Sequence, residues 1–422
     1  MNCTEFLANL TDYFDARTAA TLRTELEQHM AGCSHCYVTL NTTRQTIEIY
    51  RNDELFEMPE TIRTKLHQAV LTKCAETKLK RKKTMTRTAV TPERLMQMAW
   101  GHAAPLSIEA GIRLGVFDLL DGKKKTAEQI AADTKSSLRG MSILLNLLAG
   151  FGLLEKTSQN TYGLTPESDA FLVSTKPSFQ GGIYRHISQQ LMPKWLALTE
   201  IVRTGKPAEN VSGESDGAAF FEKFVEDIFP MSYPSACALA QALDIAAADQ
   251  TISVLDLATG SGVWGIALAQ ASPKVRVRAV DWPGVLPVTE RTAARFGVAD
   301  RFSFVPGDLL EADFGAGHQI ATLGHILHSE GEQRGQLLLN KTFKALAPGG
   351  TIVIAEFLVN EDRTGPVSGL VFAMNMLVNT SAGNTYSFEE IRQWLEKAGF
   401  ENARTMDSPG PSPLILADRP VV

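Results

Sequence analysis

Three apolar runs in the C-terminal half of this chain each close on an aspartate: Asp256 in VLDLATGSGVWG, Asp281 in RVRAVD and Asp308 in FSFVPGD. The first run breaks into a glycine turn at Gly260 and Gly262 before the apolar stretch Val263 to Ala271. Strand, glycine turn and helix in that order make a nucleotide-binding turn, because backbone N–H groups and a helix N-terminus face the ligand above it. Read literally, Gly260, Gly262 and Gly265 also satisfy G-x-G-x-x-G, so the glycines alone admit a dinucleotide.

The carboxylates separate the possibilities. Asp256, four residues before the first glycine, serves a diphosphate badly but suits a ligand that presents an ammonium and a sulfonium. Asp281 stands about twenty residues after the glycines, where a ribose diol is caught, and Trp282 follows it. Asp308 can accept from the exocyclic amine of an adenine, with Leu309 packed on the ring. Those groups occur together on S-adenosylmethionine, the cofactor this trio predicts. A nicotinamide dehydrogenase would explain Asp281 but not Asp256 and Asp308.

Methyl transfer to a hydroxyl needs a base, because the oxygen must lose its proton as it attacks. His328, in HILHSEGE, follows the fourth strand, His318 to Leu327, where open α/β sheets place their ligands. Histidine is suited to that task at neutral pH. His325 competes for the role. Glu356, within the fifth strand GTIVIAEFLV (Gly350 to Val359), can accept from the other ring nitrogen and orient the base. Met231, Phe372, Met374 and Met376 are candidates to wall an apolar acceptor pocket, although such residues also serve as core.

A second chemistry sits at the other end. Cys3, His29, Cys33 and Cys36, the last three spaced H-x3-C-x2-C, offer one imidazole and three thiolates, which suits a closed tetrahedral zinc site. Residues 1–75 are short of apolar side chains, so bound metal would supply folding energy that a small core cannot.

Elements to position these groups can be read in between. Residues 76–91 include the basic run Lys78 to Lys83 without apolar periodicity and form a polar linker. Residues 92–190 show helical periodicity in LSIEAGIRLGVFDLL, TAEQIAADT and GMSILLNLLAGFGLLE, then a small wing at Gly152 to Gly163. That order predicts a winged helix, whose second helix is too apolar for a DNA groove and suits a partner subunit. Residues 191–250 continue helically and could cover a pocket. From 251 to 422 strands and helices alternate, the mark of a doubly wound parallel sheet, completed by Glu401 to Asp407 and Leu414 to Asp418.

With 422 residues, 44% of them apolar, the chain is long enough for two or three domains. A net charge of −6 disfavours a general nucleic-acid binder. No stretch has the length to span a bilayer, so a cytoplasmic protein is expected. Five cysteines in so long a chain disfavour a disulfide framework.

Residues 96–419 resemble the plant- and bacterial-type small-molecule O-methyltransferases, through LGVFDLL, YGLTPESDAFL, the glycine turn, VDWP, GDLL and ILHSEGE. The resemblance implies an α/β fold with a Rossmann-like class I methyltransferase sheet of seven strands, the last antiparallel, preceded by a dimerisation winged helix. It also implies a homodimer, a small-molecule acceptor, His328 as base and Glu356 as its support. Three positions depart from the family pattern. Ser329 and Glu330 stand where the family has Asp and Trp, and Thr385 where it has an acidic residue. The first 50 or so residues, with EQHMAGCSHC, resemble the zinc-binding anti-sigma domain, which implies a sigma-factor-like partner. The expected function is methyl transfer to a hydroxyl of an aromatic or polyketide-like small molecule. C-methylation of an activated carbon, and a regulator whose zinc module binds a sigma factor, are the alternatives.

Overall fold

The computed structural model describes residues 20–33, 90–158, 160–211 and 214–421. The chain divides into two units, Met1–Pro92 and Glu93–Val422. In the first, the helix Ala20–Gly32 carries His29 in its last turn and buries Leu26 fully. Cys33 follows it directly; Cys3 and Cys36 lie outside the described residues.

The second unit opens with helices Glu93–Ala99 and Ala103–Arg113. Thr126 and Gln129 close a reciprocal capping box on the helix Ala127–Asp133, and the Ser137 hydroxyl accepts from Gly140 N to start Leu138–Gly150. Strands β1 (Lys125–Thr126), β2 (Leu154–Lys156) and β3 (Thr161–Leu164) pair antiparallel in the order β1-β3-β2. Helices and wing bury Phe117, Ile130, Leu145, Leu148 and Tyr162 between them, which makes the expected winged helix. Its other helix face stays bare, with Leu138, Ile143, Leu147 and Phe151 exposed.

Helices then bridge to the sheet, in pieces rather than as one continuous run: a π-helical turn Ile187–Leu191 interrupts the first of them, and the long helix Glu214–Ala242 contains Pro230 and Pro234. The large sheet comprises β4 (Ile252–Leu257), β5 (Val275–Asp281), β6 (Phe302–Pro306), β7 (His318–Gly324), β8 (Leu346–Ala355), β9 (Glu401–Met406) and β10 (Leu414–Asp418). Its order is β6-β5-β4-β7-β8-β10-β9. Strands β4 to β8 pair parallel with their neighbours, while β10 runs antiparallel to both β8 and β9. The buried LILA of β10 takes the inner place and the more polar β9 the edge, which keeps a charged rim on the unpaired side.

Order reverses between β4 and β7, so their C-terminal ends diverge and leave a crevice. Two strand ends differ from expectation. β7 stops at Gly324 rather than Leu327, because His325 turns into the left-handed region (φ 60°) after its N–H makes one last bond to Ala355 O. β8 likewise runs four residues earlier, from Leu346 to Ala355. No helix among the described residues is long and apolar enough to cross a membrane.

Candidate active site

Above the C-terminal ends of β4, β5 and β7 lies a cavity of about 240 Å³. The turn beneath it bends through positive φ at Ala258, Gly260 and Gly262. Gly262 caps the helix Val263–Ala271, and a Cβ there would sit 2.9 Å from Thr289. At Gly265 a Cβ would come within 2.8 Å of Val277 and 3.0 Å of Asp256, so this third glycine exists for close packing of helix on sheet.

Asp256 corrects one expectation. Its carboxylate is fully buried and does not line the cavity. The register of β4 on β7 places Thr322 opposite it, and that hydroxyl donates to Oδ1 at 2.7 Å. Oδ2 accepts from Thr259 Oγ1 at 2.7 Å and from Gly265 N at 3.2 Å. Asp256 therefore ties the turn to the helix N-terminus from below, an arrangement the helix dipole favours. Burial pushes its carboxyl up to about 6 against these three donors.

Asp281, at the end of β5, does line the cavity. Its Oδ2 accepts from Gly260 N at 2.8 Å and its Oδ1 from Trp282 N at 2.7 Å. Each oxygen keeps a lone pair for a ligand hydroxyl. Burial pushes this carboxyl to about 6 as well. Trp282, Asp308 and Leu309 line the same cavity. Asp308 is bound by a residue the sequence reading missed: Arg334 Nη2 donates to its two oxygens at 3.0 and 2.8 Å, while Arg334 Nε donates to Glu330 at 2.7 Å. Glu330, at the family's Trp position, lines the cavity, and burial raises its carboxyl although Arg334 opposes that.

His328 lines the same cavity and meets Glu356, which does not. His328 Nδ1 lies 2.8 Å from Glu356 Oε2, and His328 N donates to Oε1 at 3.1 Å. Glu356 sits behind the histidine, only 2% exposed. Burial favours its neutral form, but His328 holds the carboxyl below its ordinary range. Gly331, φ 76°, breaks the helix just after this turn, and a Cβ there would meet Ala382 O at 2.7 Å. Phe372 stands edge-on to His328 with ring centres 4.8 Å apart, and the Phe357 ring lies tilted beside that of Phe372, 4.1 Å away centre to centre.

Of the pocket candidates, Met231 and Phe372 line the cavity; Met374 leaves the helix Val367–Asn379 on another face than Phe372, and Met376, one turn on from Phe372 on the same face, is buried without reaching the cavity. Phe221, Phe224 and Val225 of the long helix cover the cavity instead, with Phe221 and Trp282 rings 6.0 Å apart. Their signal was the aromatic spacing in AAFFEKFVEDIF, which reads equally as core. Thr385 is buried and donates to Gly369 O at 3.2 Å, away from the cavity, and Ser329 donates to Ile326 O.

Comparisons with known proteins agree with this geometry. The O-methyltransferase domain family matches residues 195–401, the O-methyltransferase dimerisation domain matches 96–174, and a zinc-finger family matches 3–37. The chain is similar to 3-hydroxy-5-methyl-1-naphthoate 3-O-methyltransferase of Streptomyces sahachiroi, 31% identical over 326 residues that cover 76% of this chain and 93% of that protein. It is 28% identical to the tetracenomycin polyketide synthesis 8-O-methyl transferase TcmO of Streptomyces glaucescens, covering 78% and 97%. Among solved structures, PigF with SAH superimposes with a TM-score of 0.65 at 26% identity, covering 78% of this chain and all of that one. A cofactor turn, an acidic strand-end pair, a His–Glu wall and a relative matched over nearly its whole length converge: this chain belongs to the S-adenosylmethionine-dependent O-methyltransferases.

Proposed function

We propose that the protein methylates a hydroxyl of an aromatic or polyketide-like small molecule, with His328 as general base. The observation that carries this reading is the His328–Glu356 pair, facing the same cavity as the glycine turn. S-adenosylmethionine, when bound, supplies an electrophilic methyl group. Asp281 accepts from the ribose hydroxyls and Asp308 from the adenine amine, while Arg334 fixes the Asp308 carboxylate in place. Glu356 accepts the Nδ1 hydrogen, which leaves the Nε2 lone pair of His328 free to take the acceptor's proton. The imidazolium that results is stabilised by the same carboxylate. Phe357 and Phe372 exclude water and offer flat apolar surface to an aromatic acceptor. The names of the two Streptomyces relatives, a naphthoate and a tetracenomycin enzyme, support that acceptor class.

Calorimetry with S-adenosylhomocysteine tests the cofactor site; no binding at high protein concentration rejects it. His328→Ala that keeps full turnover rejects the base. The bare winged-helix face, Ile143 and Leu147 among it, together with the dimerisation-domain match supports a homodimer. The zinc-finger match supports zinc on Cys3, His29, Cys33 and Cys36.

A further inference from the structure

His325 lines the cavity beside His328 but takes no part in the His–Glu pair. Several features hold it there. Its backbone occupies the left-handed region (φ 60°), uncommon for a residue with a side chain and frequent at functional sites. Its N–H is fixed to Ala355 O at 2.9 Å. The imidazole ring lies 5.1 Å from Phe357 and 6.5 Å from the His328 ring, centre to centre.

One ring nitrogen is spoken for. Nε2 lies 2.9 Å from Ser412 Oγ, and Ser412 is buried in the loop between β9 and β10. That loop is itself tied down, because Ser408 Oγ donates to Ser412 O at 2.9 Å. The Ser412 hydroxyl has no other hydrogen-bond partner among the described residues. A buried hydroxyl donates when an acceptor is within reach, so Ser412 O–H donates to Nε2, and this assignment of the tautomer places the ring hydrogen on Nδ1. Nδ1 makes no hydrogen bond within the described residues and is not sealed in the core, and the residue that carries it lines the cavity.

We infer that His325 is a specificity-determining donor: its Nδ1–H binds a carbonyl-type oxygen carried by the acceptor on the same ring system as the hydroxyl that His328 deprotonates. Burial keeps this imidazole neutral, pushed down to about 4, so it donates without competing as a base. The inference rests on the proposed acceptor class and narrows it to hydroxylated aromatic ketones, acids and quinones.

The test is calorimetric, on the full chain saturated with S-adenosylhomocysteine, using acetyl-naphthols against ethyl-naphthols of the same substitution. These pairs share shape and hydroxyl and differ in the carbonyl. The acetyl compounds should bind about five- to tenfold more tightly, the worth of one neutral hydrogen bond. His325→Gly, which accepts φ 60° without strain, should erase that difference while S-adenosylhomocysteine affinity stays unchanged. His325→Asn, tolerant of the same φ and carrying an amide N–H, should restore part of it. Equal affinities within each wild-type pair, or a difference that survives His325→Gly, overturn the inference while leaving methyl transfer to naphthols intact. Preference for a dihydroxynaphthalene over the acetyl-naphthol overturns it also, by showing the opposite tautomer. No binding by any naphthol overturns the acceptor class together with the inference.

Discussion

Replacing Glu356 by Gln changes almost no volume at a site that is 2% exposed, so the consequences are electronic. In the native arrangement the two carboxylate oxygens accept two N–H groups, His328 N at 3.1 Å and Nδ1 at 2.8 Å. An amide has only one oxygen, and its NH₂ must face whichever donor is left. If the oxygen takes Nδ1, the backbone N–H loses its acceptor and the imidazolium formed in the reaction loses its counter-charge. Two unit charges about 4 Å apart interact by about 4 kcal/mol at an effective dielectric of about 20, and an amide dipole recovers part of that. A loss of about 2–3 kcal/mol, or about 30- to 150-fold in kcat, follows. If instead the oxygen takes the backbone N–H, the NH₂ donates to Nδ1, the hydrogen moves to Nε2, and the base is abolished, a loss of about 10²–10⁴-fold. Both outcomes lower kcat by at least about 30-fold. Methyl transfer to a hydroxynaphthoate, followed by mass spectrometry of the product, measures kcat, and calorimetry with S-adenosylhomocysteine shows whether the cofactor site is intact. A Glu356→Gln enzyme within about threefold of wild type in kcat, at unchanged cofactor affinity, refutes the assigned role.

Burial pushes the Asp281 carboxyl up to about 6; with this carboxylate as the proposed acceptor for the ribose hydroxyls, S-adenosylhomocysteine affinity should fall as pH drops through about 6, and Asp281→Asn should flatten that dependence. The sign for folding is the reverse: with folded values raised from 3.8 to about 6, Asp256 and Asp281 add stability at low pH that is lost as pH rises through about 6, which urea titration across that window would show. Gly265→Ala places a Cβ 2.8 Å from Val277 and should cost about 1–3 kcal/mol by overpacking, seen as a lower Tm. Ile143→Glu, on a helix face where Ile143 is 56% exposed, should convert dimer to monomer in sedimentation velocity; an unchanged mass would place the interface elsewhere. Cys33→Ser should strip zinc, by metal analysis of the purified chain, and leave turnover within about twofold.

Much of the catalytic body could be read directly from residue types. Strand–glycine–helix order, acidic strand ends and a capping residue such as Thr126 are local signals, set by hydrogen bonding within a few residues. Asp281, Trp282, Asp308, Leu309 and His328 lie on one cavity because parallel strands bring their C-terminal ends to one edge. Asp256 departs from expectation for a non-local reason. The spacing placed it correctly before the turn, but whether its side chain points up to a ligand or down under the helix depends on its cross-strand neighbour. That neighbour is Thr322, distant in sequence and set by the β4–β7 register. Arg334 was invisible for the same kind of reason: nothing near it in sequence marks a side chain that reaches Asp308.

From its residues alone, then, the chain declared a doubly wound sheet, a cofactor of methionine type and a histidine poised at a strand end, because periodicity and turn chemistry are short-range. Tertiary structure decided which of two neighbouring histidines meets a carboxylate. His328 reaches Glu356 across the β7–β8 pair, while His325, turned out by its positive φ, finds Ser412 instead. The two residues are alike in type and three apart in sequence; only the hydrogen-bond partner that the fold brings to each one separates the proposed base from the proposed donor.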